Sequence, residues 1–230
     1  HWRKNLEVKQ HRIFGIFYIE KMGKRVLLTE SLTPNKKSFD EELIKYNGKE
    51  FRVFDPKRSK LASTIIKGSP NVGFRKGDVV LYLGCSHGYT ASYVSDIVGN
   101  DGFVFAVDIA PRVMRDLIFL CYQRKNIAPI LADANKANEL KERICAVDVV
   151  YQDVAQKSQI EIFLKNVDLF LRNDGYAILA VKARSIDVTK NPKQIFKDVK
   201  EKLEKKLIII DYRELEPFQK DHCMFICKKK

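Results

Sequence analysis

The sequence predicts an α/β fold: a mostly parallel sheet covered by helices on both faces, preceded by a small antiparallel β unit. Three observations carry this. After Pro56, apolar runs of strand length alternate with amphipathic runs of helix length, the pattern of successive β–α units joined by right-handed crossovers. Before Pro56 the apolar runs are short, β-rich and separated by turn residues. And 230 residues, 45% of them hydrophobic, provide enough chain for one large domain with a small appendage. The division expected is residues 1–55 for the β unit and 56–230 for the α/β domain.

In the front unit the strand-like runs are Ile13 to Ile19, Arg25 to Thr29, Phe39 to Tyr46 and Glu50 to Phe54. Met22-Gly23 and Asn47-Gly48 lie between them, and Asn-Gly between apolar runs is a strong hairpin signal. In the second part, buried-type strands are expected at Val79 to Leu83, Phe103 to Val107, Ala128 to Leu131, Val147 to Tyr151, Tyr176 to Val181 and Leu207 to Tyr212. Amphipathic helices fall between them at Ala91 to Val98, Pro111 to Arg124, Gln159 to Leu171 and Pro192 to Lys205. Pro111 and Pro192 suit first-turn positions, where the missing N–H has no intrahelical partner to lose. A last run, His222 to Cys227, follows a short turn and is expected to pair antiparallel at or near the sheet edge. The terminal Lys228-Lys229-Lys230 reads as a frayed, solvated end.

Composition excludes several classes. Lys and Arg number 42 against 29 Asp and Glu, a formal net charge of +13, which suits a polyanionic partner because each bound phosphate releases counterions. No apolar stretch approaches the roughly 18 residues of a membrane span, so no membrane role is expected. The run from Ile13 to Ile19 holds Gly15, stops at Glu20 and lacks a small-residue cleavage site after it, which makes it a poor signal peptide. Five cysteines, an odd number with no C-x-x-C pair, argue against a disulfide framework and a zinc site, and for a reducing interior. With only four scattered histidines, no metal is expected. The chain opens on His1 rather than on a methionine, which leaves room for residues upstream.

The chemistry is expected at the carboxyl ends of the parallel strands. The first of them runs into Gly84-Cys-Ser-His-Gly88-Tyr-Thr90 and then a helix. Two glycines let a ligand approach the backbone, and a helix start offers free N–H groups. The loop is G-x-x-x-G, which is neither G-x-G-x-x-G nor a phosphate loop, so a nicotinamide-dependent oxidoreductase is disfavoured. The next strand ends in Asp108, placed to take ribose hydroxyls. The third is followed by Asp133-Ala134 and the fourth by Asp153-Val-Ala-Gln156. Each Asp alone is most simply a helix N-cap. Three on one rim, beside the glycine loop and without a phosphate-loop lysine, favour an adenosine-linked, non-phosphorylated ligand.

At this point the sequence resembles the fibrillarin family, the RNA ribose 2′-O-methyltransferases of box C/D guide-RNA particles, and specifically its short archaeal type. The stretches that carry the resemblance are Arg58-Ser-Lys60-Leu-Ala62, Leu81-Tyr-Leu-Gly84, Val94-Ser-Asp-Ile-Val98, Asp133-Ala134-Asn135, Asp153-Val-Ala-Gln156, Val181 to Thr189 and Glu216 to His222. The resemblance implies a Rossmann-like, seven-stranded S-adenosylmethionine-dependent methyltransferase sheet behind the N-terminal β-rich domain. It places Gly84, Ser86, Tyr89 and Thr90 on the methionine part of S-adenosylmethionine, Asp108 and Ile109 on the ribose, and Asp133 and Ala134 on the adenine. Asp153, Val154, Ala155 and Gln156 fall near the methyl donor. A catalytic set of Lys60, Asp153, Lys182 and His222 follows. The implied partners are box C/D guide RNA, target rRNA or tRNA, a Nop-family scaffold protein and a kink-turn-binding ribosomal-type protein. The implied compartment is an archaeal-type cytoplasm, or a nucleolus for a eukaryotic relative lacking its Arg/Gly-rich tail.

The chemistry of that set has its own logic. In-line attack by a ribose 2′-oxygen depends on positioning, and a weakly acidic hydroxyl needs a base or a cationic partner. Two nearby lysines disfavour double protonation, while Asp153 favours a charged lysine. On that basis Lys182 is the expected base or oxyanion partner and Asp153 the positioner, with Lys60 and His222 orienting or binding the phosphate-rich substrate. The chain also departs from the family pattern: Cys85, His87 and Tyr89 enter the glycine loop, Asp108 stands where Glu is usual, and Lys157 where Pro is usual. Those departures motivate one rival reading, a catalytically lapsed methyltransferase fold retained as a structural subunit of an RNA particle.

Overall fold

The computed structural model describes residues 6–230; residues 1–5 of the front unit lie outside the described residues. The chain begins with a five-stranded antiparallel sheet of β1 (Lys9–Gln10), β2 (Phe17–Lys21), β3 (Lys24–Glu30), β4 (Leu43–Tyr46) and β5 (Lys49–Val53), in the order β1-β2-β3-β5-β4. Both expected tight turns are present. Met22 and Asn47 take φ of 50° and 48°, and the glycines after them 73° and 75°, so all four central residues are left-handed, as these hairpins require.

Two front elements are shorter than the sequence suggests. The run from Ile13 is a turn until Phe17, because the chain bends at Gly15 (φ 74°) directly against Ile97, leaving no room for a side chain. The run from Phe39 becomes strand only at Leu43. Before it, the Glu41 carboxylate accepts the N–H groups of Ser38 and Phe39 and holds the segment in a bend.

The second part contains α1 (Lys60–Ile66), β6 (Val79–Leu83), α2 (Tyr89–Val98), β7 (Phe103–Asp108), α3 (Pro111–Gln123), β8 (Ile127–Leu131) and a 3-10 helix at Ala134–Leu140. It continues with β9 (Val147–Gln152), α4 (Gln159–Phe170), β10 (Leu171–Lys182), α5 (Ala183–Ile186), α6 (Pro192–Glu204), β11 (Leu207–Glu214) and β12 (His222–Lys229). The seven strands lie in the order β11-β12-β10-β9-β6-β7-β8. β10, β9, β6, β7 and β8 are parallel, and β12 runs antiparallel to both of its neighbours. The last strand thus sits one place in from the edge, which β11 occupies. Its terminal lysines are structured: β12 continues to Lys229, whose Nζ donates to the carbonyls of Leu171 and Val167 at 2.7 and 3.5 Å.

The period of two along each strand sorts side chains onto two cores. Val80, Tyr82, Val104, Ala106, Val149 and Tyr151 pack with α1, α2, α3 and the front unit's Ile16, Leu27 and Phe54. Leu81, Leu83, Val107, Val150 and Phe225 pack with α4, α6 and the 3-10 helix. The front sheet is also joined by charge. Arg52 is fully buried and reaches Glu41, Asp96 and Ser92 at 2.7–2.8 Å, while Arg124 holds the other Asp96 oxygen at 2.6 Å.

Candidate active site

The expected site residues gather at one rim of the seven-stranded sheet: most lie on the segments that follow parallel strands, Lys60 opens α1, and Lys182 and His222 sit on the paired ends of β10 and β12. β6 delivers the chain into Gly84 at φ 77°. A Cβ on this residue would lie 2.2 Å from the Asp153 carbonyl oxygen, so the loop after β6 and the loop after β9 touch at a point only glycine fits. Gly88 then starts α2 at φ 91° with no side chain capping the helix, which leaves its first N–H groups facing outward.

Asp108 ends β7 and uses both carboxylate oxygens locally, one on Ser86 N–H and one on Ala110 N–H, each at 2.9 Å. It therefore ties the glycine loop to the start of α3. Asp133 does act as a cap, accepting from Asn135 N–H at 2.9 Å. Asp153 caps nothing. Its carboxylate accepts from Lys60 Nζ at 2.6 Å, with the two side chains only 21% and 28% exposed. Lys60 is placed by its neighbour: Ser59 caps α1 through Ala62 N–H and accepts from Thr90 Oγ1 at 3.0 Å. The glycine loop and the Lys60 turn are thus hydrogen-bonded together.

Lys182 and His222 are directly paired residues of β10 and β12. His222 Nδ1 meets the Lys220 carbonyl at 2.6 Å; a carbonyl only accepts, so Nδ1 carries the proton and Nε2 is left as an acceptor. Burial lowers the pKa of this ring, and the positive charges of Lys60 and Lys182 add to that, against the Lys220 carbonyl and Asp153, which favour protonation. At neutral pH the imidazole is uncharged. The Lys182 N–H is held by Gln159 Oε1 at 3.3 Å, and its ammonium is exposed.

Two cavities open on this rim. The smaller, about 250 Å³, is lined by Asp108, Ile109, Asp133, Ala134 and the Asp153–Gln156 turn. The larger, about 740 Å³, is lined by Lys60, Ser86, Tyr89 and Thr90. Gly84 and Asp153 line both. The expected residues are therefore sorted into two adjoining chambers with the Lys60–Asp153 pair at their junction. Lys182 and His222 line neither and lie beside the junction.

The larger chamber also has walls that the motifs did not reveal. Ser38 and Phe39 come from the front unit, and Phe119, Leu120 and Gln123 from α3. Phe39 carries no signal in sequence, since only the fold brings it to the site. Arg58, one of the residues carrying the resemblance, stacks 4.2 Å over the Tyr89 ring and pairs with Asp40. The Tyr89 ring packs on Phe39 of the front unit and Tyr93 of α2, so its bulk is accommodated between them. His87 is paired with Asp116 at 2.7 Å on the outer wall.

The chambers suit a long, two-ended ligand such as S-adenosylmethionine. The small one is edged by Asp108 and Asp133, and the large one offers uncapped helix N–H groups for an anionic end. A family model described as Fibrillarin matches residues 8–230. The fibrillarin-like rRNA/tRNA 2′-O-methyltransferase of Methanocaldococcus jannaschii is 46% identical over 96% of each chain. The solved fibrillarin pre-rRNA processing protein of Methanococcus jannaschii superimposes with a TM-score of 0.94 at 44% identity, covering 98% of each chain. Aeropyrum pernix fibrillarin, solved with natively bound S-adenosyl-L-methionine, gives a TM-score of 0.89 at 39% identity over 97% of this chain and 99% of that one. A fibrillarin solved in complex with Nop5p gives 0.84 at 34% identity over 95% and 99%. With a family model spanning nearly the whole length and full-length relatives well above 40% identity, this chain belongs to the fibrillarin family.

Proposed function

We propose that this protein is an S-adenosylmethionine-dependent methyltransferase acting on the ribose 2′-oxygen of rRNA and tRNA. In this reading a Nop-type scaffold carries it, a box C/D guide RNA chooses the sites, and a kink-turn-binding protein completes the particle. The observation that carries the reading is the 2.6 Å Lys60–Asp153 pair at the junction of two chambers, flanked by Lys182 and His222. The names of the relatives and the ligands of the solved neighbours support it.

When bound, S-adenosylmethionine supplies an electrophilic methyl group on a sulfonium. The small chamber would hold its nucleoside, with Asp108 and Ile109 at the ribose and Asp133 and Ala134 at the base. The large chamber would hold its amino-acid end at Ser86, Tyr89 and Thr90. Lys60 holds the Asp153 carboxylate in one orientation, ready to accept a hydrogen bond from a ribose hydroxyl and so aim its oxygen. Lys182, whose amine has no partner among the described residues, is the group free to stabilise the developing alkoxide or take its proton. Neutral His222 offers Nε2 as an acceptor on the same side. Lys57, Lys157 and Lys220 rise from three loops around this rim with no ion pair among the described residues, available for phosphates. An intact Lys60–Asp153 pair and an accommodated Tyr89 count against a lapsed structural subunit.

The test is a reconstituted particle of this protein, scaffold, kink-turn protein and guide RNA, supplied with methyl-labelled S-adenosylmethionine and a matched target strand. Nuclease digestion is expected to return the label as one 2′-O-methylnucleoside at the guided position. Label on a base, or none with cofactor demonstrably bound, would overturn the reading.

A further inference from the structure

We propose that Gln159 is a positioning residue for methyl transfer, its buried amide setting the separation between the Asp153–Gln156 turn and the strand end at Lys182. The inference rests on the function proposed above. Gln159 is fully buried at the start of α4. Its Oε1 accepts from Lys182 N–H at 3.3 Å and its Nε2 donates to the Gln156 carbonyl at 2.7 Å. Its own carbonyl accepts from Gln152 Nε2 at 2.6 Å, and Gln152 is the fully buried residue that ends β9 immediately before Asp153. Two stacked glutamines therefore connect β9, the Asp153–Gln156 turn and β10.

Packing alone does not explain them. A buried amide costs free energy unless every polar atom is paired, and Gln152 Oε1 has no partner among the described residues. Methionine or leucine would fill the same space without that penalty. What the amides provide is a route between the two sides of the chemistry. Asp153 is bonded to Lys60, and no bond among the described residues joins it to Lys182. The Gln159 amide bridges that gap, with one end on Lys182 and the other on the turn that carries Asp153. For an in-line transfer a displacement of about 1 Å costs about 100-fold in rate. A group that fixes this separation therefore acts on turnover without touching the reacting atoms.

The experiment uses the reconstituted particle and methyl-labelled S-adenosylmethionine, with wild type, Gln159→Met and Gln159→Glu, and melting curves in parallel. Gln159→Met keeps the volume and loses both bonds. It is expected to lower kcat about 10- to 100-fold, while KM for the cofactor moves by less than about fivefold, since Gln156 is only one edge of its chamber. Gln159→Glu restores both bonds only when its buried carboxyl is protonated, because the O–H then donates to the Gln156 carbonyl. Its kcat relative to wild type is expected near unity at pH 6 and falls at least about tenfold by pH 8.5, as the carboxyl ionises. Wild-type kcat in Gln159→Met would overturn the inference. So would equal losses in both variants at every pH that follow the melting curve, since that is mere fold support. Wild-type particle that transfers no methyl would overturn the proposed function and this inference with it, whereas wild-type transfer alongside an unimpaired Gln159→Met overturns the inference alone.

Discussion

The Arg52–Asp96–Arg124 cluster and the Lys60–Asp153 pair are both carboxylates held by cations at 2.6–2.8 Å, and they differ in access to water. Asp96, Arg52 and Arg124 have fully buried side chains, and both Asp96 oxygens are saturated by two guanidiniums, the Thr29 hydroxyl and Leu32 N–H. Nothing there is left to bind a ligand. Asp153 keeps about a quarter of its side chain open to two chambers, and Lys60 reaches only one of its oxygens. A sealed carboxylate fixes how the front sheet meets α2 and α3, and an open one keeps a lone pair for a substrate. Desolvation separates the two roles: a buried ion that loses its partner is strongly destabilising, whereas a pair still open to water contributes little to stability.

That contrast can be broken in graded ways. Asp96→Ala leaves the buried Arg124 guanidinium without a counter-charge and Arg52 with Glu41 alone, and is expected to cost about 3–5 kcal/mol. In a differential scan that corresponds to a melting point lower by on the order of 10 °C. A melting curve within 2 °C of wild type would show that the cluster is not what joins the front sheet to α2 and α3. Gly84→Ala forces a Cβ against the Asp153 carbonyl and is expected to cost about 1–3 kcal/mol. It should also weaken cofactor binding at least tenfold by calorimetry, and unchanged binding would separate the glycine loop from the Asp153 turn.

Ser59→Ala removes the cap of α1 and the acceptor of the Thr90 hydroxyl. About 1 kcal/mol of stability is expected to go, with a severalfold slower transfer because Lys60 is the next residue. A slower rate without any loss of stability would assign Ser59 to the site rather than to the helix.

The smallest effect is electrostatic. His222 titrates below its ordinary 6.5, first because it is buried and then because Lys60 and Lys182 are positive. In that interval the folded chain binds fewer protons than the unfolded one. The contribution to stability is therefore present above pH 6.5 and is lost as pH falls through the folded midpoint. An NMR titration is expected to show the depressed midpoint, and Lys60→Ala is expected to move it up. A midpoint indifferent to Lys60 would remove that lysine from the electrostatics of the site.

Much of this was legible in the residues because the information is local. The strands of the seven-stranded sheet appear as short apolar runs, and four helices as amphipathic runs with Pro111 and Pro192 at first-turn positions. The glycine loop and the aspartates at strand ends lie on the motifs themselves. What was not legible depends on distant packing. α1 is only seven residues long, and its polar Ser63 and Thr64 are buried alongside Leu61, Ala62 and Ile65, which no sequence period shows. Gly15 looks like part of a strand until Ile97 arrives beside it. Lys182 and His222 meet only through the register of β10 and β12, 40 positions apart in the chain. Gln159 opens a helix in the sequence, and only the fold brings its Oε1 to the Lys182 N–H. The same holds for Asp96, an ordinary helical acid until Arg52 and Arg124 close on it.

The most direct test of the open pair is Asp153→Ala, measured for methyl transfer to a guided target strand and for thermal melting in the same preparation. We expect transfer to fall at least about 100-fold, with a melting shift of no more than about 2 °C, because a pair that keeps about a quarter of each side chain in solvent contributes about 1 kcal/mol or less. Transfer at the wild-type rate by a folded Asp153→Ala protein would contradict the placement of the chemistry at this carboxylate.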